Sequence, residues 1–276
     1  MLINLKDILA PAKKGGYAVG LFNTIDTDML EAAISAAEEM RSPIIIGTAE
    51  ILLPYGELKL IAPSVIAAAK RASVPVCVNY DHGLTFDRCM EALSLGFTSV
   101  MYDNSALGYE ENVANTREMV KIAHSMGASV EGEIGHVGEA SDSDNLVSDM
   151  YTRPKDALRF LIDTGVDALA VSIGTAHGPY KAKPCLDINR LKAIHDTVDL
   201  PLVLHGGSGL SDDDFKNTIA NGISKVNIFT DLCLAGQRAA GENFKEDYLI
   251  ARNRKVDAIK QAVMKKISLF GSQNKA

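Results

Sequence analysis

What this 276-residue chain lacks narrows the field before any motif is read. It has no run of about 18 apolar residues, so no stretch is built to cross a bilayer as a helix. It has no basic excess: the formal net charge is −7, and the electrostatic footprint of a nucleic-acid binder is missing. Acidity does not exclude phosphorylated substrates, because local loops and metals hold phosphate against the global sign. Only four cysteines occur, Cys77, Cys89, Cys185 and Cys233, far apart and with no C-x-x-C pair. They read as reduced thiols, Cys77 as a small core hydrophobe. The opening "MLINLKDILAPAKKGG" carries Lys6 and Asp7 inside a short apolar pattern and has no signal-peptide layout. The expectation is a cytoplasmic protein with no membrane or nucleic-acid partner. No G-x-G-x-x-G follows the first apolar run, which weakens a dinucleotide-binding reading.

What is present is a rhythm. Apolar, β-branched runs predict strands at 17–22, 43–47, 74–80, 99–103, 129–134, 168–173, 201–205 and 225–229. Between them lie segments with apolar residues at helical spacing, such as 27–41, 111–127 and 155–165. Short, continuous apolar strands alternating with helices indicate a parallel sheet buried on both faces. Eight such units without a linker predict a single α/β domain over 1–276, a closed (β/α)8 TIM barrel. The one long polar stretch is 136–153, "HVGEASDSDNLVSDMYTR", read as a lid or binding loop.

In such a barrel the active site lies at the C-terminal ends of the strands. Asn23, Asp81-His82, Asp103, Glu131 and Glu133, His177, His205, Asn227, Thr230 and Asp231 fall there. His124 and His195 lie on helices and read as solvated, and His136 opens the polar loop. A lone buried histidine is ordinarily a satisfied core residue. Three at the ends of the third, sixth and seventh strands, converging on one barrel mouth beside carboxylates, are instead the ligand set of a catalytic zinc ion with an open fourth position. "HGGSG" (205–209) and "NIFTD" (227–231) supply Gly-rich loops and backbone N–H groups after the last two strands, the usual phosphate site of these barrels. His177-Gly178 and Lys181 would close the same pocket. Asp81 and His82 adjoin, and neighbouring strand residues face opposite ways, so the strand must end or twist at Gly83 for both to reach the pocket.

"YDHG", "SVEGEIG", "SIGTAHGPYKAKP", "LPLVLHGGSG" and "KVNIFTD", in that order over almost the whole chain, resemble the successive motifs of the class II, metal-dependent fructose-bisphosphate and tagatose-bisphosphate aldolases. The resemblance implies a lyase of carbohydrate metabolism and glycolysis that reversibly cleaves a ketose 1,6-bisphosphate, fructose 1,6-bisphosphate first, to dihydroxyacetone phosphate and an aldehyde. It implies zinc on His82, His177 and His205, with Asp81 moving the proton. Asp103 and Glu133 match positions lining a second or alternative metal site, for a second divalent or a monovalent cation. Asn23, Gly178, Lys181, Gly206, Gly207, Ser208, Asn227, Ile228, Phe229, Thr230 and Arg252 match substrate contacts. A small-molecule sugar phosphate is the expected partner, and a homo-oligomer, dimer or tetramer, the expected assembly.

The departures from the family pattern concern the sugar. Phe229 stands where fructose-type members carry Asp and tagatose-type members Ala, and Ala49 stands where a Ser is usual. Phe229 either relaxes the choice at C4 or points into the helical layer, leaving only its backbone N–H for phosphate. The acidic residue expected after Glu133 falls on Glu139, Asp142 or Asp144, and the distal-phosphate arginine on Arg252 or Arg254. Tagatose 1,6-bisphosphate or another ketose phosphate is the alternative substrate. A Schiff-base aldolase would need a lysine deep in the barrel, and none is expected there, because Lys225 is read as beginning the eighth strand and Lys181 as a loop residue. A metallohydrolase would carry H-x-H at the first strand, where this chain has "LFNTI". A sugar-phosphate-binding barrel without catalysis would have no use for Asp81.

Overall fold

The structure, a computed structural model, describes residues 1–135, 137, 151–176, 184–242 and 247–276. Eight strands form the ring: β2 (Val19–Asn23), β3 (Ile44–Ala49), β4 (Val76–Gly83), β5 (Ser99–Tyr102), β6 (Ser129–Ile134), β7 (Ala168–Val171), β8 (Leu202–Leu204) and β9 (Ile223–Ile228). All neighbours pair in parallel, and the ring closes where β9 meets β2, with Val19 opposite Lys225 and Phe22 opposite Ile228. Helices follow the strands: α2 (Thr27–Glu39), α3 (Leu58–Arg71), α4 (Phe86–Ser94), α5 (Tyr109–Ser125), α6 (Pro154–Thr164), α7 (Ile188–Thr197), α8 (Asp212–Ala220), α9 (Thr230–Glu242) and α10 (Tyr248–Phe270). This is a (β/α)8 TIM barrel, as the alternation of patterns predicts.

The strand period of two sorts side chains into two cores. Val76, Val78 and Tyr80 of β4, like Val226 and Ile228 of β9, face outward into the large cluster between barrel and helices. Cys77, Val19, Leu21, Ile45, Ala168, Ala170 and Val203 face inward and form a second, smaller cluster. That inner cluster is completed by a segment the sequence reading did not assign. β1 (Leu2–Ile3) pairs with the start of β4, and α1 (Leu5–Gly15) lays Leu5, Ile8, Leu9 and Ala12 across the N-terminal end of the ring. Asn4 caps this helix by accepting from the Asp7 N–H at 2.9 Å. Each buried Leu or Ile contributes about 1.5–3 kcal/mol, so the seal is a substantial part of the core.

Above the apolar floor, the inward positions turn polar: Asn79 and Asp81 on β4, Glu131 and Glu133 on β6, Lys225 and Asn227 on β9, all buried. One expectation fails here. The eighth predicted strand began at Lys225, but β9 starts at Ile223, so Lys225 is a mid-strand residue with an inward side chain. The polar residues Ser224 and Lys225 masked the strand start in the sequence.

Candidate active site

Asp81 is fixed from two sides. Asn23, the last residue of β2, donates its Nδ2–H to Asp81 Oδ2 at 2.8 Å, and Asn227 donates its Nδ2–H to Oδ1 at 2.9 Å. Burial opposes ionisation of this carboxyl, but His82, Lys225 and His205 outweigh it and hold it below the usual carboxylate range. Asp81 is therefore an oriented, ionised acceptor.

β4 runs on past its predicted end through Asp81 and His82, and the twist that lets both side chains face the pocket lies at His82. Its φ is +42°, one of three positive values among the described non-glycine residues, and the ladder to β5 shifts register between Tyr80 and Gly83. A left-handed non-glycine residue costs about 1–2 kcal/mol. Glu50 braces the turn: its Oε2 accepts from the Tyr80 hydroxyl at 3.2 Å and the Leu84 N–H at 2.8 Å, and its Oε1 from the Thr85 hydroxyl at 3.1 Å. Gly83 is needed one residue later for space, since a Cβ there would lie 2.4 Å from Cys89 Sγ and 2.9 Å from the Met101 carbonyl oxygen.

His82 and His205, the two of the three strand-end histidines that lie among the described residues, meet. His82 Nε2 lies 2.8 Å from His205 Nδ1, while His82 Nδ1 lies 2.7 Å from Asp103 Oδ2 and His205 Nε2 lies 2.8 Å from Glu131 Oε1. An ionised carboxylate only accepts, so each far nitrogen carries its hydrogen, and in a neutral ring the near nitrogen presents a lone pair. Two lone pairs 2.8 Å apart repel unless a proton or another cation is shared between them. Burial disfavours an imidazolium at His82, yet Asp81, Asp103 and Glu133 raise its pKa to about 9. The site thus favours positive charge at this spot. Carboxylates behind imidazoles are also the arrangement that orients metal-binding histidines. Asp81, His82 and His205 form one group whose possible ligand atoms lie within 4.8 Å of one another, and His82, Asp103 and Glu133 form a second. Glu133 keeps a buried oxygen without a hydrogen-bond partner, and burial followed by Asp103 pushes its carboxyl up to about 8. The donor set fits a divalent metal.

Gly206 and Gly207 follow β8. Gly206 has φ +66°, and a Cβ on it would lie 2.3 Å from the Ala176 carbonyl oxygen. Across the loop, the Phe229 N–H points to Ser208 Oγ at 3.4 Å, and Thr230 opens α9. The Phe229 ring packs against the outer core together with Cys233 and Leu232, so the outward orientation is the one adopted. Ile228 is likewise an outward, fully buried core residue. Ala49 ends β3 in register with Asp81. Arg252, on α10, is engaged by Asp28 at 2.8 Å and by Glu31. His177, Gly178 and Lys181 lie outside the described residues, as do His136, Glu139, Asp142 and Asp144.

Two residues central to this geometry received no role from the sequence. Glu131 was seen only as a strand-end acid, and Lys225 was set outside the interior. Strand parity with Glu133 and with Asn227 would have pointed both inward.

A parallel barrel whose strand ends gather an oriented carboxylate, paired imidazoles and a Gly-rich loop defines a metal-assisted barrel enzyme. The sequence family described as fructose-bisphosphate aldolase class-II matches residues 3–275. The chain is 40% identical to the protein YdjI of Escherichia coli K12 over 261 residues, 94% of each, and 38% identical to the fructose-bisphosphate aldolase of Geobacillus stearothermophilus over 285 aligned positions, covering 100% of this chain and 99% of that protein. The crystal structure of the YdjI aldolase superposes with a TM-score of 0.93 at 37% identity, covering all of both chains. This chain belongs to the class II fructose-bisphosphate aldolase family and is an aldolase.

Proposed function

We propose that the enzyme is a zinc-dependent aldolase that reversibly cleaves a ketose 1,6-bisphosphate, fructose 1,6-bisphosphate first, into dihydroxyacetone phosphate and an aldehyde. The observation that carries this reading is the facing pair His82 Nε2 and His205 Nδ1, each backed by a carboxylate, beside the oriented Asp81. His82, His205 and, from outside the described residues, His177 would hold the zinc. Bound there, zinc supplies Lewis acidity toward the ketose carbonyl and hydroxyl oxygens. Asp103 would keep His82 turned, with Glu133 available to a second divalent or a monovalent cation.

The chain's own groups perform the proton chemistry. Asp81 takes the C4 hydroxyl proton as the C3–C4 bond breaks, and returns it in the condensation direction. Asn23 and Asn227 hold the carboxylate by its two oxygens, so its free lone pairs are aimed before substrate arrives. The phosphate of the dihydroxyacetone half would rest on the N–H groups of 206–208 and at the start of α9, with Gly178 and Lys181 closing over it.

A second substrate, tagatose 1,6-bisphosphate or another ketose phosphate, is favoured by Ala49, which brings a methyl group beside Asp81 where the family pattern has a hydroxyl. The engagement of Arg252 with α2 leaves the distal phosphate to another cation. Exposure of Tyr248, Leu249 and Ile250 in succession, 77%, 66% and 51%, supports a homo-oligomer.

Release of dihydroxyacetone phosphate from a panel of ketose mono- and bisphosphates tests the reading. Cleavage abolished by EDTA, restored by zinc and insensitive to borohydride supports it. Borohydride trapping of a substrate adduct on Lys225 would replace it with Schiff-base chemistry.

A further inference from the structure

Lys225 is the one fully buried lysine or arginine among the described residues, and the proton chemistry above does not use it. Its Nζ donates to Asn227 Oδ1 at 2.7 Å and lies 2.8 Å from Glu131 Oε2, an ion contact rather than a well-angled hydrogen bond. From these two partners, contacts continue to both halves of the site. Asn227 Nδ2 reaches Asp81 Oδ1 at 2.9 Å and lies 3.2 Å from His205 Nδ1, while Glu131 Oε1 meets His205 Nε2 at 2.8 Å.

The chemistry of these contacts is directional. An ammonium has donors and no acceptor. Only the oxygen of the Asn227 amide can face it, which turns the NH2 toward Asp81 and His205. Flipped, that amide would set its oxygen against the Asp81 carboxylate. On the other side, the ammonium draws Oε2 of Glu131 and thereby leaves Oε1 for the His205 ring. An apolar side chain of similar length would fill the same space without the expense of burying a charge, and it would orient neither partner.

We infer that Lys225 is a positioning residue: one buried cation sets the amide of Asn227 and, through Glu131, the imidazole of His205, and so holds the proton-transfer group and the metal-binding histidine in mutual register. The inference rests on the aldolase reading above.

The test compares wild type, Lys225→Met and the double variant Lys225→Met/Glu131→Gln, which leaves no unpaired buried carboxylate. Zinc affinity is read by competition with a chromogenic chelator, the ligand field by the visible spectrum of the cobalt-substituted protein, and turnover by release of dihydroxyacetone phosphate. In Lys225→Met, zinc affinity falls by about 10–100-fold, the range seen when groups behind metal ligands are removed. The cobalt spectrum shifts, and kcat drops while KM changes little. In the double variant the melting temperature returns toward wild type, but kcat stays low, because Asn227 remains free to turn. Wild-type zinc affinity and kcat in both variants would overturn the inference. Full recovery of kcat in the double variant would also overturn it, by reducing Lys225 to a counter-charge for Glu131. If Lys225→Met fails to fold, the double variant alone decides on the same readings. A wild-type protein that cleaves no ketose phosphate would sink the aldolase reading instead, and the zinc affinities and cobalt spectra would still judge Lys225.

Discussion

Replacing Asp81 by Asn removes the base and keeps the shape, but the surroundings make the substitution less simple than its size suggests. Asp81 accepts from two amides, Asn23 at 2.8 Å and Asn227 at 2.9 Å. An asparagine offers one oxygen and one NH2, so one neighbour must meet donor with donor, a loss of about 1–3 kcal/mol if nothing adjusts. The neighbours are unequal. Asn227 is held, its oxygen taken by Lys225 at 2.7 Å, whereas Asn23 Oδ1 is buried without a hydrogen-bond partner. Asn23 can therefore turn its amide over and offer that oxygen to the new NH2. The Asp81→Asn protein should lose less than about 1 kcal/mol, or about 2–4 °C in melting temperature. It should retain its zinc, and its kcat should fall by about 10²–10⁴-fold. Calorimetry, metal analysis and a coupled assay for dihydroxyacetone phosphate measure the three quantities. Loss of zinc or near-wild-type turnover would refute the assignment of Asp81. A melting drop several times larger would refute the compensating turn of Asn23.

Three further outcomes follow from the geometry. His82→Ala, His205→Ala and His177→Ala should each lose most bound zinc and activity together, and full metal occupancy in any of them, by elemental analysis, removes that residue from the ligand set. Phe229→Asp should leave the ratio of kcat/KM for fructose and tagatose 1,6-bisphosphates unchanged and lower the melting temperature, because the ring packs in the outer core; a changed sugar preference would contradict that. Burial raises the Asp28 carboxyl, but Lys255 and Arg252 lower it further, leaving it below its ordinary value of 3.8. The stability it contributes is present above that value and lost as pH falls through the depressed one. Asp28→Asn should accordingly destabilise at neutral pH, and denaturation at graded pH should show the gap to wild type closing below about pH 4. A gap that stays constant into acid would rule out the ion pairs.

The barrel was legible because its cause is local: apolar runs of strand length alternate with helical patterns, and the parallel topology follows from that alternation. Asp81, His82, Asp103, Glu133 and His205 were legible because strand ends are where such runs stop and ionisable residues start. β1 and α1 were not legible, since the two-residue strand is too short for a period, and α1 carries Pro11 and three lysines among its apolar positions. Lys225 escaped for a related reason. A lysine ordinarily marks the edge of a buried strand, and only its pairing with Glu131, distant in sequence, makes the interior tolerable. The twist at His82 likewise depends on Glu50 reaching across from the preceding βα connection, a contact that no local pattern encodes.

The seal at the N-terminal end of the barrel also bears on synthesis. α1 is synthesised before every strand of the ring, yet the strand that precedes it has no partner until Val76 and Cys77 have been made, some seventy residues later. Below the point where β5 joins β4 at Asn79, β1 alone occupies that edge of β4. Until the ring closes, Leu5, Ile8 and Leu9 have no cavity to enter and remain an open apolar stripe, the kind of surface that chaperones bind and that aggregates in their absence. A segment made before the whole ring is thus among the last to be satisfied, and variants that weaken the inner cluster should betray themselves first in expression yield, before any loss of catalysis in the folded fraction.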